Sequence, residues 1–403
     1  MLSLAAIREA RDRIADVARV TPIEYSHTFS ERTGAAVHLK LENFQRTGAF
    51  KIRGALNRIT TLSDAEQAAG VVTASAGNHA QGVALAATRA GVDATIVMPE
   101  HAPISKVKAT RSYGARVVLA GVDYEEAQAR AHEIEREEGR TYVHAFDDEM
   151  VMAGQGTIGL EIVSQQPDVE TVIVPIGGGG LIAGIATAIK AQQPDVRVIG
   201  VQAEGAASVA ESLAAGEIRE RDSVDTVADG IATRSVGTQP FAIIQERVDE
   251  VVTVSDEEIA LAITLLLQRS KTLVEGAGAV ALSALLEGRF EYDDDEVIVP
   301  ALCGGNIDMN VLTTVILRGM IQLGRYLKIR TVLPDQPGAL EGLIEIIADK
   351  GANIYEIHHE RTSREVGMSD TSVELELETH GPDHAADLLA TLRDVGYTVD
   401  VRK

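Results

Sequence analysis

Apolar positions follow two different spacings along the chain, and each spacing predicts a different element. Val37, Leu39 and Leu41 alternate with polar residues, which is the period of a half-buried strand. Residues 171–176 form a short, continuously apolar run, which is typical of a parallel strand covered on both faces. Residues 181–190 have the spacing of a helix. These segments therefore predict strands that lead through short loops into helices.

Lys51 lies where a strand pattern gives way to a helical one. Residues 50–60 have helical spacing, and a turn at Gly48 would place Lys51 in the first helical turn. The helix dipole disfavours an ammonium there, and apolar Phe50 and Ile52 help to exclude water. Both effects lower the pKa of a lysine from its ordinary value of about 10.4. A neutral amine attacks carbonyl carbons, so Lys51 is a candidate for Schiff-base formation.

Between the apolar strand and the helix at residues 181–190 stands a run of four glycines: Gly177, Gly178, Gly179 and Gly180. Without side chains, the backbone N–H groups can close on a phosphate, and the helix dipole adds to the attraction. A flexible loop is the alternative. Four consecutive glycines between two firm elements are entropically expensive, however, which favours the anion site.

Two further turns carry polar groups. Residues 73–80 are Thr-Ala-Ser-Ala-Gly-Asn-His-Ala, between an apolar stretch and a helix-like run. They offer a hydroxyl, an amide and backbone N–H groups that suit a carboxylate, although an ordinary capped turn has the same composition. Residues 297–307 place Cys303 and two glycines at the end of another strand of the buried type.

These four segments, in their order along the chain, resemble the fold-type II pyridoxal-phosphate enzymes, and specifically their serine/threonine dehydratase branch. The resemblance covers roughly residues 1–320. It implies a tryptophan-synthase-β-like α/β catalytic domain with pyridoxal 5'-phosphate between two open α/β layers. The smaller lobe would comprise about residues 50–150, and the larger lobe residues 1–49 and 151–320.

The resemblance also implies roles for individual residues. Lys51, in the Phe-Lys-Ile-Arg-Gly motif, would carry the cofactor, and Asn78 would bond its ring hydroxyl. The family's usual Ser-Gly-Gly-Asn segment is Cys-Gly-Gly-Asn here, so the thiol of Cys303 would face the pyridine nitrogen. The other residues expected at the cofactor are Phe50, Gly177, Gly178, Gly179, Gly180 and Leu181. Those expected at the substrate are Ser75, Ala76, Gly77, Asn78 and His79, with Ser75 and Lys51 as the catalytic pair.

The residue types favour elimination over racemisation. A neutral thiol cannot hold a proton on the pyridine nitrogen as a carboxylate would, so the ring is a weaker electron sink and prompt loss of a β-hydroxyl is favoured. Lys51 is the natural base for the Cα proton. Racemases of the family usually carry a serine where this chain has Ala76. We therefore expect conversion of L-threonine, and of L-serine, to a 2-oxo acid and ammonia. A serine racemase, or a serine or hydroxyaspartate dehydratase, is the alternative within the family.

The last portion, residues 327–403, has a different pattern of predicted elements from the rest of the chain. Strand and helix signals alternate there in the order β-α-β-β-α-β, a ferredoxin-like module. It resembles the ACT domain, an amino-acid-sensing module that usually pairs across a dimer, and the alternative is a merely oligomerising domain. Regulation by a branched-chain amino acid would suit a first step of isoleucine synthesis. The residues expected at the effector are Asp335, Gln336, Pro337, Gly338, Ala339, Leu340, Asn353 and Ile354.

Composition and charge argue against some classes of binding partner. The formal charge of −23 argues against a nucleic-acid partner, and no apolar run approaches the ~20 residues that span a bilayer. Cys303 is the single cysteine, which indicates a reducing compartment, so we expect a cytoplasmic homo-oligomer, dimer or tetramer. The acidic, lysine-poor composition resembles that of proteins from salt-loving organisms. The family's cation site cannot be transferred, because residues 202–208 do not reproduce its acidic ligands, so metal binding stays open.

Two other classes of function are weaker. Residues 178–183 satisfy a loose dinucleotide fingerprint, and Glu204 follows a strand, which would suit a nicotinamide-dependent dehydrogenase. That interpretation leaves Lys51, Asn78 and Cys303 without a purpose. A non-catalytic amino-acid sensor is the other alternative, and the presence of Lys51 argues against it.

Overall fold

The computed structural model describes residues 2–361 and 367–402. The chain divides into two compact units, Met1–Asp308 and Met309–Lys403. Among the described residues, no helix is long and apolar enough to cross a membrane.

The first unit alternates helices and strands along most of its length. Its helices are α1 Leu4–Ile14, α2 His27–Thr33, α3 Ile52–Thr60, α4 Asp64–Ala69, α5 Asn78–Ala90, α6 Ile104–Ser112, α7 Tyr124–Glu138, α8 Glu149–Gln165, α9 Gly180–Lys190, α10 Ser208–Ala215, α11 Thr238–Arg247, α12 Asp256–Leu265 and α13 Gly276–Leu286. Its strands are β1 Ile23–Tyr25, β2 Ala36–Lys40, β3 Val71–Ala74, β4 Ala94–Met98, β5 Arg116–Leu119, β6 Thr141–Tyr142, β7 Thr171–Pro175, β8 Arg197–Ala203, β9 Glu250–Val254 and β10 Val297–Pro300.

Two sheets organise this unit. The larger has the order β1-β2-β10-β7-β8-β9, and only its edge strand β1 runs antiparallel to its neighbour. The smaller, β5-β4-β3-β6, is wholly parallel. Loops that follow neighbouring parallel strands meet at one edge of a sheet, which is where open α/β proteins bind ligands. The glycine run follows β7, and the Cys303 segment follows the adjacent strand β10. The expected two-layered α/β fold is confirmed.

Strand β2 differs from the expected half-buried pattern at its C-terminal end. Its last residue, Lys40, and Glu42 just after the strand are fully buried. Their charges are paired, since Lys40 Nζ lies 2.6 Å from Glu161 of α8 and Arg53 of α3 lies 2.7 Å from Glu42 and 2.6 Å from Glu161. Buried charges persist where each has an opposite partner. The apolar face of β2 is therefore buried, and its polar face passes from the half-buried His38 to the buried, ion-paired Lys40.

Helix α3, which begins beside Lys51, is pressed closely against α8. A Cβ atom added to Gly54 would lie 2.6 Å from the carbonyl oxygen of Val151, and one added to Gly154 would lie 2.5 Å from that of Arg53. Both glycines are therefore required for the two helix backbones to approach. This contact fixes the position from which Lys51 enters the site.

The described part of the second unit contains one four-stranded antiparallel sheet, in the order β12 Asn353–Glu360, β13 Asp370–Glu378, β11 Tyr326–Pro334 and β14 Val399–Arg402. Its apolar core includes Ile329, Leu343 and Leu375. This is the ferredoxin-like arrangement, and the element order expected from the sequence is confirmed. The elements are α14 Met309–Gln322, β11 Tyr326–Pro334, α15 Ala339–Asp349, β12 Asn353–Glu360, β13 Asp370–Glu378, α16 Pro382–Asp394 and β14 Val399–Arg402.

The two compact units divide between Asp308 and Met309, so α14 groups with the C-terminal unit. Helix α14 directly precedes β11 in the chain. The division into a catalytic part of about residues 1–320 and an ACT-type part of residues 327–403 stays a prediction.

Candidate active site

Lys51 occupies the N-cap position of α3, one residue before the helix begins. Its Nζ donates a hydrogen bond to the carbonyl oxygen of Ala145 at 3.2 Å and lies 5.1 Å from the centre of the Phe50 ring. Burial lowers the pKa of Lys51 to about 8, although Cys303 and Glu275 oppose the shift. The predicted fall in the lysine pKa is confirmed, with loss of water contact as its main cause. A substantial fraction of Lys51 is therefore neutral and nucleophilic at mildly alkaline pH.

The loop that carries Lys51 is attached to the segment after β10. The amide of Phe50 donates to the carbonyl oxygen of Cys303 at 3.1 Å, and the amide of Gly305 donates to that of Gly48 at 2.8 Å. Gly48 has a φ of 72°, a conformation that favours glycine, so the expected turn is present. Two of the segments singled out from the sequence therefore lie side by side.

Cys303 is almost fully buried, and its Sγ donates to the carbonyl oxygen of Ala301 at 3.3 Å. Burial raises the pKa of this thiol well above its ordinary value. Cys303 therefore stays a neutral thiol, which argues against the nucleophile role that a lowered pKa would support.

The glycine run is closed in by protein on several sides. A Cβ atom added to Gly177 would lie 2.9 Å from Ile231, one on Gly179 would lie 2.8 Å from Pro240, and one on Gly180 would lie 2.6 Å from the carbonyl oxygen of Phe146. Gly179 also has a φ of 92°. Within the described part of the chain, the amides of residues 177–179 donate to no protein acceptor. Unpaired amides at the start of α9 form a suitable site for a phosphate group.

The turn after β3 is more open. Its Ser75 Oγ accepts a hydrogen bond from the amide of Gly77 at 3.1 Å, and the Ser75 amide donates to Val97 at 3.0 Å. A Cβ atom added to Gly77 would meet nothing within 4 Å. Ser75, Ala76 and Asn78 are likewise only half-buried. The N-terminus of α5 therefore faces space in which a carboxylate can bind.

His79 is buried, and its Nε2 contacts the carbonyl oxygen of Val143 at 3.0 Å. Burial lowers the pKa of His79 to about 3, so the ring is neutral and donates to that carbonyl. The side chain therefore anchors the turn after β3 to the backbone of Val143.

Asn78 joins two residues that sequence reasoning did not assign. Its Nδ2 donates to Glu275 Oε1 at 2.5 Å, and its Oδ1 accepts from Asn306 Nδ2 at 2.8 Å. Burial raises the pKa of Glu275 to about 7, against the hydrogen bond from Asn78. Asn306 ends the Cys-Gly-Gly-Asn segment, and that motif was the available signal for it.

The loop between β6 and α8 supplies contacts that no sequence motif indicated. Ala145 accepts the hydrogen bond from Lys51, and Phe146 packs on Gly178 and Gly180. Asp147 accepts hydrogen bonds from the amides of Thr238 and Gln239 at the start of α11. The contacts of Ala145 are made by the backbone, which is why residue type carried no information about them.

The family described as "Pyridoxal-phosphate dependent enzyme" matches residues 14–304, which contain Lys51, the turn after β3, the glycine run and Cys303. The chain belongs to this family. The L-threonine ammonia-lyase of Geobacter sulfurreducens is 52% identical over 403 residues and is covered in full, as is this chain.

Solved structures agree with this membership. The processed form of threonine deaminase isoform 2 from Solanum lycopersicum has a TM-score of 0.76 at 42% identity, covering 78% of this chain and 92% of that one. Maize serine racemase has a TM-score of 0.75 at 36% identity, covering 80% of this chain and 98% of the racemase. Both similarities support the fold-type II architecture of the first unit.

The residues present fit pyridoxal phosphate. The free amides of the glycine run suit its phosphate, Lys51 is an amine with a lowered pKa, and Cys303 is a neutral thiol. Leu181, in the first turn of α9, is buried. In the described residues, no cluster of three or more His, Cys, Asp or Glu side chains could hold a metal ion.

The expected effector residues all lie in the second unit. Residues 335–338 connect β11 to α15, with Gly338 at the N-cap of α15 and a φ of 86°. Asp335 pairs with Arg361 at 3.1 Å, and Asn353 donates to Glu378 at 2.9 Å. Two of the polar groups proposed for effector recognition are thus engaged within the unit.

Proposed function

We propose that this protein is a threonine ammonia-lyase, which converts L-threonine to 2-oxobutanoate and ammonia and accepts L-serine as a second substrate. The observation that carries this proposal is Lys51, a half-buried lysine whose amine has a pKa of about 8, in a site that offers separate places for a phosphate and a carboxylate. Full-length similarity to the Geobacter L-threonine ammonia-lyase supports the choice of substrate.

Lys51 has two functions in this proposal. It attaches the cofactor and, once released by the substrate amine, it accepts the proton from the substrate Cα. Pyridoxal phosphate supplies the electron sink that makes this proton acidic. Because its pKa is near 8, Lys51 is basic enough to accept a proton and still neutral often enough to do so.

The turn after β3 holds the substrate carboxylate. Ser75 presents a hydroxyl, and the backbone amides at the start of α5 present N–H groups to the space beside Gly77. The positive end of the helix dipole favours an anion there. This contact orients the substrate so that its Cα proton faces the amine.

Cys303 and Ala76 favour elimination over racemisation. Burial keeps the Cys303 thiol neutral, so it cannot stabilise a protonated pyridine nitrogen as a carboxylate would. Ala76 has a methyl group where family racemases usually carry a hydroxyl that reaches the opposite face of the substrate. The similarity to maize serine racemase keeps racemisation as the second candidate function.

The decisive experiment compares the wild-type enzyme with Lys51→Ala. We expect release of 2-oxobutanoate from L-threonine by the wild type and its loss in the variant, together with loss of the covalently attached cofactor. Lys108→Ala is the matched control, because Lys108 is an exposed lysine outside the site. Near-normal turnover by Lys51→Ala would refute the assignment. A higher kcat/KM for L-serine or threo-3-hydroxyaspartate than for L-threonine would change the substrate.

We also propose that the second unit is an ACT-type module that senses a branched-chain amino acid. Its strand order and the glycine-containing turn that starts α15 support this assignment. An effector shifts activity only if it binds two states of the enzyme unequally.

In full-length protein, we expect Asp335→Ala to abolish any response to isoleucine or valine without changing kcat/KM in their absence. Asp349→Ala, at the other end of α15, is the control. Calorimetry and threonine saturation curves measure both properties.

The remaining expectations stay predictions. They are a role in isoleucine synthesis, a cytoplasmic location and a homo-oligomeric state of two or four chains. Sedimentation velocity of the full-length protein measures the last of these directly.

A further inference from the structure

A chain of hydrogen bonds crosses the site and connects residues from four separate segments. Asn306 Nδ2 donates to the carbonyl oxygen of Thr47 at 2.6 Å and to Asn78 Oδ1 at 2.8 Å. Asn78 Nδ2 in turn donates to Glu275 Oε1 at 2.5 Å. Thr47 belongs to the loop that carries Lys51, Asn78 begins α5, and Glu275 caps α13.

The Thr47 end of this chain determines how both amides are oriented. The carbonyl oxygen of Thr47 can only accept a hydrogen bond, so Asn306 must turn its NH₂ group towards it. The same NH₂ group lies 2.8 Å from Asn78, so Asn78 must turn its oxygen towards Asn306. The NH₂ group of Asn78 then faces Glu275 Oε1.

This arrangement leaves one donor available to a ligand. Both hydrogens of the Asn306 NH₂ group are used, one on Thr47 and one on Asn78. The Asn78 NH₂ group has two hydrogens, and Glu275 takes one of them. The chain therefore leaves one N–H of Asn78 for a ligand and turns the Asn78 oxygen towards Asn306.

We propose that Asn306 is a positioning residue that holds Asn78 as a hydrogen-bond donor towards the ring oxygen of the cofactor. The proposal rests on the proposed contact between Asn78 and that ring oxygen. A fixed donor stabilises the ionised form of a ring hydroxyl, whereas a rotated Asn78 would present its carbonyl oxygen and repel it.

Asn306 also ties this donor to the loop that carries Lys51. A Cβ atom added to Gly48 would lie 2.5 Å from Asn306 Oδ1, so the Asn306 side chain packs directly on the Gly48 turn. The same turn is bonded to Gly305 through its backbone. One amide thus sets the distance between the amine that attaches the cofactor and the group that contacts its ring.

The test uses Asn306→Asp, which keeps the shape of the side chain but replaces the donating nitrogen with an oxygen. Asn43→Asp is the matched control, because Asn43 is also buried near the site and donates to a backbone carbonyl, that of Leu273 at 3.2 Å, without contacting Asn78. The melting temperature of each cofactor-free variant reports folding. Titration with pyridoxal phosphate gives its Kd, and the absorption spectrum of the bound cofactor reports the state of its ring oxygen.

We expect Asn306→Asp to weaken pyridoxal-phosphate binding roughly tenfold, as loss of a hydrogen bond to a charged group does, and to shift the absorption band. Asn43→Asp should leave the band in place. Asn78→Ala should shift the band as well, and adding Asn306→Asp to it should change Kd by less than about twofold, because residues that act through one another are not additive. Asn306→Ala replaces the aspartate variant if the latter does not fold.

Three results would overturn the proposal. Additive effects of the Asn78 and Asn306 changes would show that Asn306 acts independently, and an equal band shift in Asn43→Asp would show a general loss of packing. If Asn78→Ala itself leaves the band unchanged, Asn78 does not contact the cofactor ring. Asn306 then cannot position Asn78 for that contact. Threonine turnover by wild type and its dependence on Lys51 test the proposed function separately.

Discussion

The two turns that follow β7 and β3 both use glycine before a helix, but for opposite physical reasons. In the glycine run after β7, added Cβ atoms would collide with Phe146, Ile231 and Pro240, so the absence of side chains allows the protein to pack around the loop. At Gly77, in the turn after β3, an added Cβ atom would meet nothing within 4 Å. There the absence of a side chain leaves room for something else.

This difference indicates how the two turns act on their ligands. The glycine run is held by its neighbours, so its unpaired amides are already in place before a phosphate arrives. Groups that are positioned in advance need no reorganisation when charge appears beside them. The turn after β3 is less enclosed and belongs to the smaller sheet. We infer a permanent cradle for the cofactor on one side and an adaptable contact for the substrate on the other.

The largest expected effect comes from Gly180→Ala. The new Cβ atom would lie 2.6 Å from the backbone oxygen of Phe146, which cannot move without displacing the loop before α8. We expect the Kd for pyridoxal phosphate to rise at least about a hundredfold and the cofactor-free protein to lose about 1–3 kcal/mol of stability, as overpacking does. Fluorescence titration and urea unfolding measure these quantities. Unchanged cofactor affinity would show that the run is not closely packed.

Gly77→Ala provides the opposite case. Because the added Cβ atom has open space around it, we expect the free energy of unfolding to stay within about 0.5 kcal/mol of wild type. The methyl group would instead compete with the substrate carboxylate, so KM for L-threonine should rise roughly tenfold, an amount equal to about 1.4 kcal/mol. Steady-state kinetics and urea unfolding test this. A destabilised protein with a normal KM would remove the contrast between the two turns.

Sequence reasoning predicted the local part of this comparison. A strand, a glycine run and a helix at residues 171–190 are contiguous signals, and the structure confirms all three. The fall in the Lys51 pKa followed from its apolar neighbours and is confirmed. Local order and burial of this kind are encoded within a few residues.

The connections across the site were beyond such reasoning. Asn78 is separated from Glu275 by 197 positions and from Asn306 by 228, so no periodicity within a segment could indicate that they touch. Strand β2 was expected to have one polar, solvated face. Its Lys40 is buried because Glu161, 121 positions away, supplies the opposite charge. Pairings over such distances depend on how the sheets and helices assemble.

A smaller effect concerns the charge of Lys51 in the cofactor-free protein. Its pKa is about 8 when folded and about 10.4 when unfolded, so between these values the unfolded chain binds more protons. The ionised Lys51 therefore lowers the free energy of unfolding most below pH 8. This destabilisation disappears as the pH rises towards about 10.4. We expect Lys51→Met to be more stable than wild type by several degrees at pH 7, with a difference that shrinks by pH 10.

Thermal melts of both cofactor-free proteins across this range provide the measurement, and taking the difference removes the effects of other titrating groups. A difference that is constant with pH would mean that Lys51 keeps contact with water in the folded protein. The site would then be open on the side of the glycine run as well, and the contrast with the turn after β3 would weaken.

The smallest expected effect, Ala76→Ser, concerns the open turn alone. Ala76 is half-buried beside Gly77, so a hydroxyl can be added there without disturbing the packed side of the site. That hydroxyl would stand where racemases of the family usually carry one and could return a proton to the face opposite Lys51. We expect the ratio of D-serine to pyruvate formed from L-serine to rise several-fold, while the Kd for pyridoxal phosphate stays unchanged. Chiral chromatography of the products measures the ratio, and Ala76→Val, which adds bulk without a hydroxyl, should leave it at the wild-type value. An unchanged ratio in Ala76→Ser would mean that the open turn does not control which face of the substrate receives a proton.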